Sequence, residues 1–214
     1  MDLPDAVNPF PETPPLPPQA PVMVLPEAAL FPHALVPLFI FEKRYRAMLS
    51  WALERDRMFC LAMMLPGLTE AVDPGDFHHV AGIGMVRACV EHEDGTSHLV
   101  LQGIARVRFT GFIEEKPFRM AHLAPFLERP ADSRTAEELS TQVLGWCARF
   151  RAAGAEVPVD VDAQLAKVTD PAMLGDIVAH TFIRDAQRRQ ELLEETDVEE
   201  RLRILLRQLE VELG

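Results

Sequence analysis

Between Leu30 and Met48 the sequence LFPHALVPLFIFEKRYRAM changes its period within a few residues. Pro32 and Pro37 bracket a short apolar turn, and Leu38–Phe41 follows as a continuous apolar run. Tyr45, Met48, Leu49, Ala52 and Leu53 then recur at offsets of three and four. That spacing is helical, so the stretch reads as a strand running directly into a helix. Pro37 lacks a ladder donor, which places it at a strand's start or on an edge. Leu38–Phe41 shows no polar alternation and is expected to be covered on both faces.

The rest of the chain divides by period. Residues 1–20 carry seven prolines with little to pack between them and are expected to form a solvated, polyproline-like tail. Pro14 and Pro17 match a P-x-x-P ligand, but the tail reading is preferred. Val22–Leu25 and Met58–Leu65 read as short buried strands, each ended by proline. Val80–Glu91 and Ser97–Ile104 flank Asp94-Gly95, a strong hairpin turn. Gly82, Gly84 and Gly103 inside these strands suggest bulges or tight bends, as a small closed barrel requires. Arg106–Phe109 alternates, with Val107 and Phe109 on one face and both arginines on the other. Phe118–Leu127 supplies a last strand.

From about residue 131 the period is helical. Thr135–Glu138 has capping-box form before a stripe of Leu139, Val143, Trp146, Cys147 and Phe150, and Gly154 ends that helix. Asp170-Pro171 is an N-cap followed by proline, with Leu174, Ile177, Val178 and Phe182 facing inward. Thr196–Glu199 caps a helix carrying Leu202, Leu205, Leu206, Leu209 and Leu213. Strands first and helices second argue an α+β protein: a barrel over residues 21–130 and a helical bundle over 131–214.

The pattern L-F-P-x-x-x-x-P-L-x-I-F-E-x-R-Y-R-x-M, read from Leu30 to Met48, resembles the signature of the Lon protease N-terminal domain, which also occurs as a free-standing protein. Asp94–Val107 resembles that family's central hairpin, and Asp170-Pro171 with Gln190–Glu194 and Arg201-Leu202 resembles its helical half. The resemblance implies a PUA-like β-barrel and a substrate-recognition role. The expected partners are unfolded or tagged polypeptides, together with a protease or chaperone, and self-association is compatible with it.

Composition narrows the chemistry. A net charge of −12 opposes binding to nucleic acid, which needs a concentrated basic surface. That charge weighs against the runner-up reading, an RNA-binding PUA-like protein. No apolar run approaches the roughly 18 residues of a membrane span, and the start MDLPDAVNPF does not resemble a signal peptide. Cys60, Cys89 and Cys147 form no C-x-x-C pair, so a reducing cytoplasm is the expected setting. No glycine is followed by lysine, which excludes a Walker phosphate loop from this sequence, and no serine–lysine dyad is recognisable. No catalytic residue, cofactor or metal is therefore assigned. What remains is a non-catalytic binding module or a peptidase-associated regulatory subunit.

His78, His79, His92 and His98 cluster near Cys89, but turn histidines are the ordinary reading. Glu114-Glu115, Glu137-Glu138 and Glu194-Glu195 read as solvated faces. Glu42 sits where an acid favours a helix start, with Arg44 or Arg106 as its partner. The candidate binding residues are Phe31, Leu35, Phe39, Phe41, Arg44, Tyr45 and Arg106. Among the apolar ones, Phe31 and Leu35 are expected on an exposed loop and Phe39 and Phe41 in the core, with the working groove between barrel and bundle.

Overall fold

The computed structural model describes residues 14–113, 116–129, 131, 133–155 and 161–213. The expected tail falls largely outside these residues, as does Glu114-Glu115. What is described of the tail shortens it. Leu16 packs against the barrel, the Pro18 carbonyl accepts a bond from Leu123, and Gln19–Leu25 is already strand β1.

Strand β2 (Leu35–Ile40) leads into helix α1 (Lys43–Leu53), the period change seen in the sequence. Strands β3 (Met58–Met63), β4 (Val80–Glu91), β5 (Ser97–Ile113) and β6 (Met120–Pro125) follow. Helices α2 (Ser133–Ala152), α3 (Val161–Leu165), α4 (Pro171–Phe182), α5 (Ala186–Glu194) and α6 (Val198–Leu213) complete the chain. The α+β order expected from the sequence is present, with α1 inserted among the strands. The sheet runs β2-β5-β4-β3-β1-β6, and β6 pairs back onto β5. Five strands thus close a ring, and β2 is left as an appendage with one partner among the described strands. The β1–β3 pairing is parallel and the others are antiparallel.

Strand β3 is buried along its whole length because it separates two apolar layers. Met58, Cys60 and Ala62 join Val22, Val24, Val107 and Phe109 on one side. Phe59 and Leu61 join Leu30, Phe31, Leu99 and Leu101 on the other, where the same layer continues into Leu174, Ile177, Val178, Leu202 and Leu205. The second layer is therefore shared by barrel and helices, while the first belongs to the strand-rich half alone.

The tertiary structure revises several local expectations. The stretches Ser97–Ile104 and Arg106–Phe109 are one long strand, β5, whose pairing with β4 slips between Ile83 and Gly84 and again between Val86 and Ala88. Helix α2 begins at Ser133, which puts Thr135 inside its first turn and not at the cap. Asp170 does cap α4, accepting from the Ala172 N–H at 3.0 Å, and Asp197 accepts from Glu200 at 3.0 Å at the start of α6. Glu194 is engaged, not merely solvated: it accepts from Gln190 at 2.8 Å and meets His78 at 2.8 Å.

The glycines explain why the Leu30-Phe31 segment lies so deep. A Cβ on Gly82 would collide with the Leu30 carbonyl oxygen, and one on Gly103 with the Phe31 carbonyl oxygen. A Cβ on Gly84 would reach 2.6 Å from the Leu101 side chain. Glycine there serves close approach of two backbones as well as the bend that the strand pattern suggested.

Candidate binding surface

The burial of β2 alternates, contrary to the expectation that Leu38–Phe41 is covered on both faces. Val36, Leu38 and Ile40 face the core. Leu35, Phe39 and the following Phe41 are 52%, 50% and 59% exposed. As the last strand in the order, β2 has one free edge, and its alternation turns Leu35 and Phe39 outward. Pro37 occupies this edge strand, where a missing donor is tolerated.

Pairing register then assembles a row that no local pattern announces. Phe39 lies opposite His98 on β5, and His98 lies opposite Val90 on β4. The Phe39 ring stacks on His98 with centroids 4.6 Å apart and on Phe41 at 5.7 Å. His98 Nδ1 is 2.8 Å from His92 Nε2 across the hairpin. Val90 is 61% exposed. A groove of about 460 Å³ runs among Pro37, Phe39, Cys89, Val90 and His98. Its chemistry is that of apolar burial with a polar imidazole rim. Val90 and His98 were not among the sequence candidates, because their membership depends on register alone. Among the described residues no three histidine, cysteine or acidic side chains converge on a metal-sized site.

The remaining candidates divide. Leu35 is at the surface as expected, beside a cleft of about 180 Å³ between the barrel and Val161, Ile177 and His180 of the helical half. Phe31, expected on a loop, is fully buried, drawn in by the glycine contacts described above. Phe39 and Phe41, expected in the core, are half-exposed: Phe39 falls on the outward side of β2 and Phe41 just beyond its end.

Arg106 is also interior, 4% exposed, with its guanidinium carbon 5.8 Å from the Phe31 ring centre. It does not reach Glu42. It donates to Asp176 and Glu128 and, through Nε, to the Leu193 carbonyl at 3.0 Å. Fully buried Arg201 joins the same group, its Nη2 2.6 Å from Glu128. Two arginines and two carboxylates thus balance at the seam between barrel and helices. Arg106 is a joint and not part of an open surface.

Arg44 and Tyr45 lie at a second cleft, of about 350 Å³, over β1 and the start of α1. Arg44 Nε donates to Glu42 at 2.9 Å, the pairing expected from the sequence. Tyr45 is buried and its hydroxyl donates to the Val24 carbonyl at 2.9 Å. Burial pushes the phenol's pKa up despite the adjacent Arg44. Lys116 and Arg119 enter the same cleft from the segment before β6. Partial burial, reinforced by the neighbouring Arg44 charge, holds the Arg119 guanidinium below its ordinary pKa. Neither cation was a sequence candidate, because single basic residues scattered in an arginine-rich chain carry no local signal.

Residues 19–211 match the family described as the ATP-dependent protease La (LON) substrate-binding domain. The chain is 26% identical over 199 residues to the Lon protease of Desulfosudis oleivorans, covering 92% of this chain and 24% of that protein. It is 25% identical over 196 residues to the Lon protease of Escherichia coli, covering 91% and 25%. The chain thus spans about a quarter of the length of the curated relatives it matches. Among solved structures, the N-terminal domain of a Mycobacterium avium complex Lon protease superposes with a TM-score of 0.69 at 20% identity, covering 90% of this chain and 98% of that one. A Lon N-terminal domain protein from Xanthomonas campestris gives 0.63 at 19% identity, with 88% and 97% covered.

Proposed function

The chain belongs to the LON substrate-binding domain family, and from that premise we propose that it is a non-catalytic module that binds unfolded or tagged polypeptides. The observation that carries the reading is the half-exposed apolar face of Leu35, Phe39, Phe41 and Val90 beside an open groove. An apolar peptide segment laid on that face gains about 25 cal/mol for each Å² it removes from water. Ordering the segment offsets several kcal/mol of that gain, so one module binds in roughly the micromolar range or more weakly. Side-chain burial is the main source of affinity on such a face. Tight action then needs several copies or a tethered protease or chaperone, for which this protein would act as adaptor.

The test is the pair Phe39→Asp and Phe41→Asp, assayed for thermal stability and for binding of a chemically unfolded client. Both side chains are half-exposed, so melting should barely move while client binding falls. Undiminished binding in a folded double variant would remove this face from the reading. The −12 charge opposes the RNA-binding alternative, and no observation favours it.

A further inference from the structure

The cleft over β1 and α1 brings three basic side chains together in this acidic chain. The sequence holds 33 acidic against 21 basic residues, yet Arg44, Lys116 and Arg119 line one cleft of about 350 Å³, where Asp73 is the single acid of the walls among the described residues. We propose that this cleft receives the free C-terminal carboxylate of a bound polypeptide, with that chain's last apolar side chain against Val24, Phe112 and Phe118. The inference rests on the polypeptide-binding reading and extends it from the apolar face to the recognition of a chain end.

The fold accounts for these cations only in part. Lys116 makes no ion pair or hydrogen bond among the described residues. Helix α1 opens on Lys43, Arg44 and Arg46 with no acid in its first turn and no side-chain cap from Glu42. Cations at that end oppose the helix dipole, so they cost stability instead of adding to it. The two arginines are only partly engaged. Arg44 donates through Nε to Glu42, and its Nη1 is 3.7 Å from Glu70. Arg119 donates through Nη2 to the Val72 carbonyl at 2.7 Å and lies over the Phe77 ring at 4.7 Å. A guanidinium offers five donors in a planar fork, which leaves each arginine able to bind a carboxylate oxygen.

Size and surroundings select the ligand. Glu42 and Glu70 beside Arg44, and Asp73 and Asp76 beside Arg119, balance those charges in part and leave Lys116 and the outer guanidinium donors for a single small anion, next to which Val24, Phe112, Ile113 and Phe118 supply an apolar wall. A nucleic acid needs a track of phosphate contacts, and the net charge of −12 repels a polyanion approaching from outside. A peptide's terminal carboxylate joins one negative charge to one apolar side chain. That combination matches the walls.

The test uses the full chain and a short, N-terminally labelled peptide ending in leucine, as free acid and as C-terminal amide, followed by fluorescence anisotropy. Amidation removes the charge-assisted hydrogen bonds to the carboxylate, which predicts about ten-fold tighter binding of the free acid. That preference should disappear in Lys116→Glu and in Arg44→Gln, while the amide binds both variants as it binds the parent. Equal affinities for acid and amide overturn the proposal, as does a preference that survives both substitutions. An amidated peptide ending in aspartate that binds as tightly as the free acid would assign the cleft to side-chain carboxylates and overturn the chain-end claim. A single-stranded oligonucleotide that competes through Lys116 would assign it to phosphate, with the same consequence. If the amide binds through Phe39 and shows no carboxylate preference, only this inference falls. If neither peptide binds, the polypeptide-binding reading falls, and this inference with it.

Discussion

Arg106 and Asp176, 70 residues apart in the chain, meet as a buried two-armed ion pair in which Nη1 donates to Oδ2 at 2.8 Å and Nη2 donates to Oδ1. Both residues are almost wholly enclosed, one on β5 and the other on α4. Glu128 and Arg201 complete the group, so the seam between the strand-rich and helical halves is neutral in sum. An isolated buried charge is far more costly than a matched pair, which makes the group an all-or-none joint.

Removing one member of that joint should therefore do disproportionate harm. Asp176→Asn leaves Arg106 and Arg201 short of a counter-charge, and about 3–5 kcal/mol of stability should be lost in urea unfolding. The double variant Arg106→Leu with Asp176→Leu should recover part of the loss, since an apolar pair carries no unpaired charge. Equal loss from the single and double variants would show that packing, not charge, governs the seam.

The glycine contacts make a second prediction. Gly103→Ala places a methyl group against the Phe31 carbonyl, and Gly82→Ala does the same against Leu30. Neither backbone can yield without moving the core, so each change should cost about 1–3 kcal/mol or more. Gly75→Ala, where nothing lies within 4 Å, is the control. Thermal melting of the three variants decides the matter, and equal behaviour would remove the close-approach explanation.

Thiol reactivity should separate the cysteines. Cys60 is fully enclosed, and burial pushes its thiol pKa far up. Burial likewise pushes Cys147 up to about 11, whereas Cys89 is only half-buried beside the apolar groove. The thiolate is the reactive form, so a disulfide reagent near neutral pH should label Cys89 first in the native protein. Cys60 and Cys147 should react only on unfolding. Fast native labelling of Cys60 would contradict its placement between two core layers.

Stability should fall with mild acidification. His180 borders the cleft near Leu35, and burial, with a smaller contribution from Arg189, depresses its pKa below 6.5. Its Nδ1 is buried without a hydrogen-bond partner among the described residues. The folded state then binds fewer protons than the unfolded chain once the pH drops below the unfolded value. Stability is complete above that value and declines as the pH falls through the window down to the depressed folded value. His33 is shifted the same way, with burial outweighing the nearby carboxylates. Denaturant midpoints between about pH 7.5 and pH 5.5 should fall in the parent and fall less in His180→Gln. Identical slopes would exclude His180 as the source.

What the sequence determined by itself was local or long in pattern. The Asp170-Pro171 cap, the Asp94-Gly95 hairpin, the buried β3 run and the strand-to-helix change at residues 38–53 depend on neighbours in the chain, and each is found where its residues placed it. The family was legible because the Leu30–Met48 pattern extends over many positions. Which apolar residue is inside was not legible, since Phe31 and Phe39 are the same side chain in similar company. That choice fell to the alternation and register of β2, which turn Phe39 outward, and to Gly82 and Gly103, which admit Phe31 to the interior. The Arg106–Asp176 joint and the Arg44–Lys116–Arg119 cleft were likewise decided in space. Charges act over a few ångströms, and only the closed chain brings residues tens of positions apart within that range.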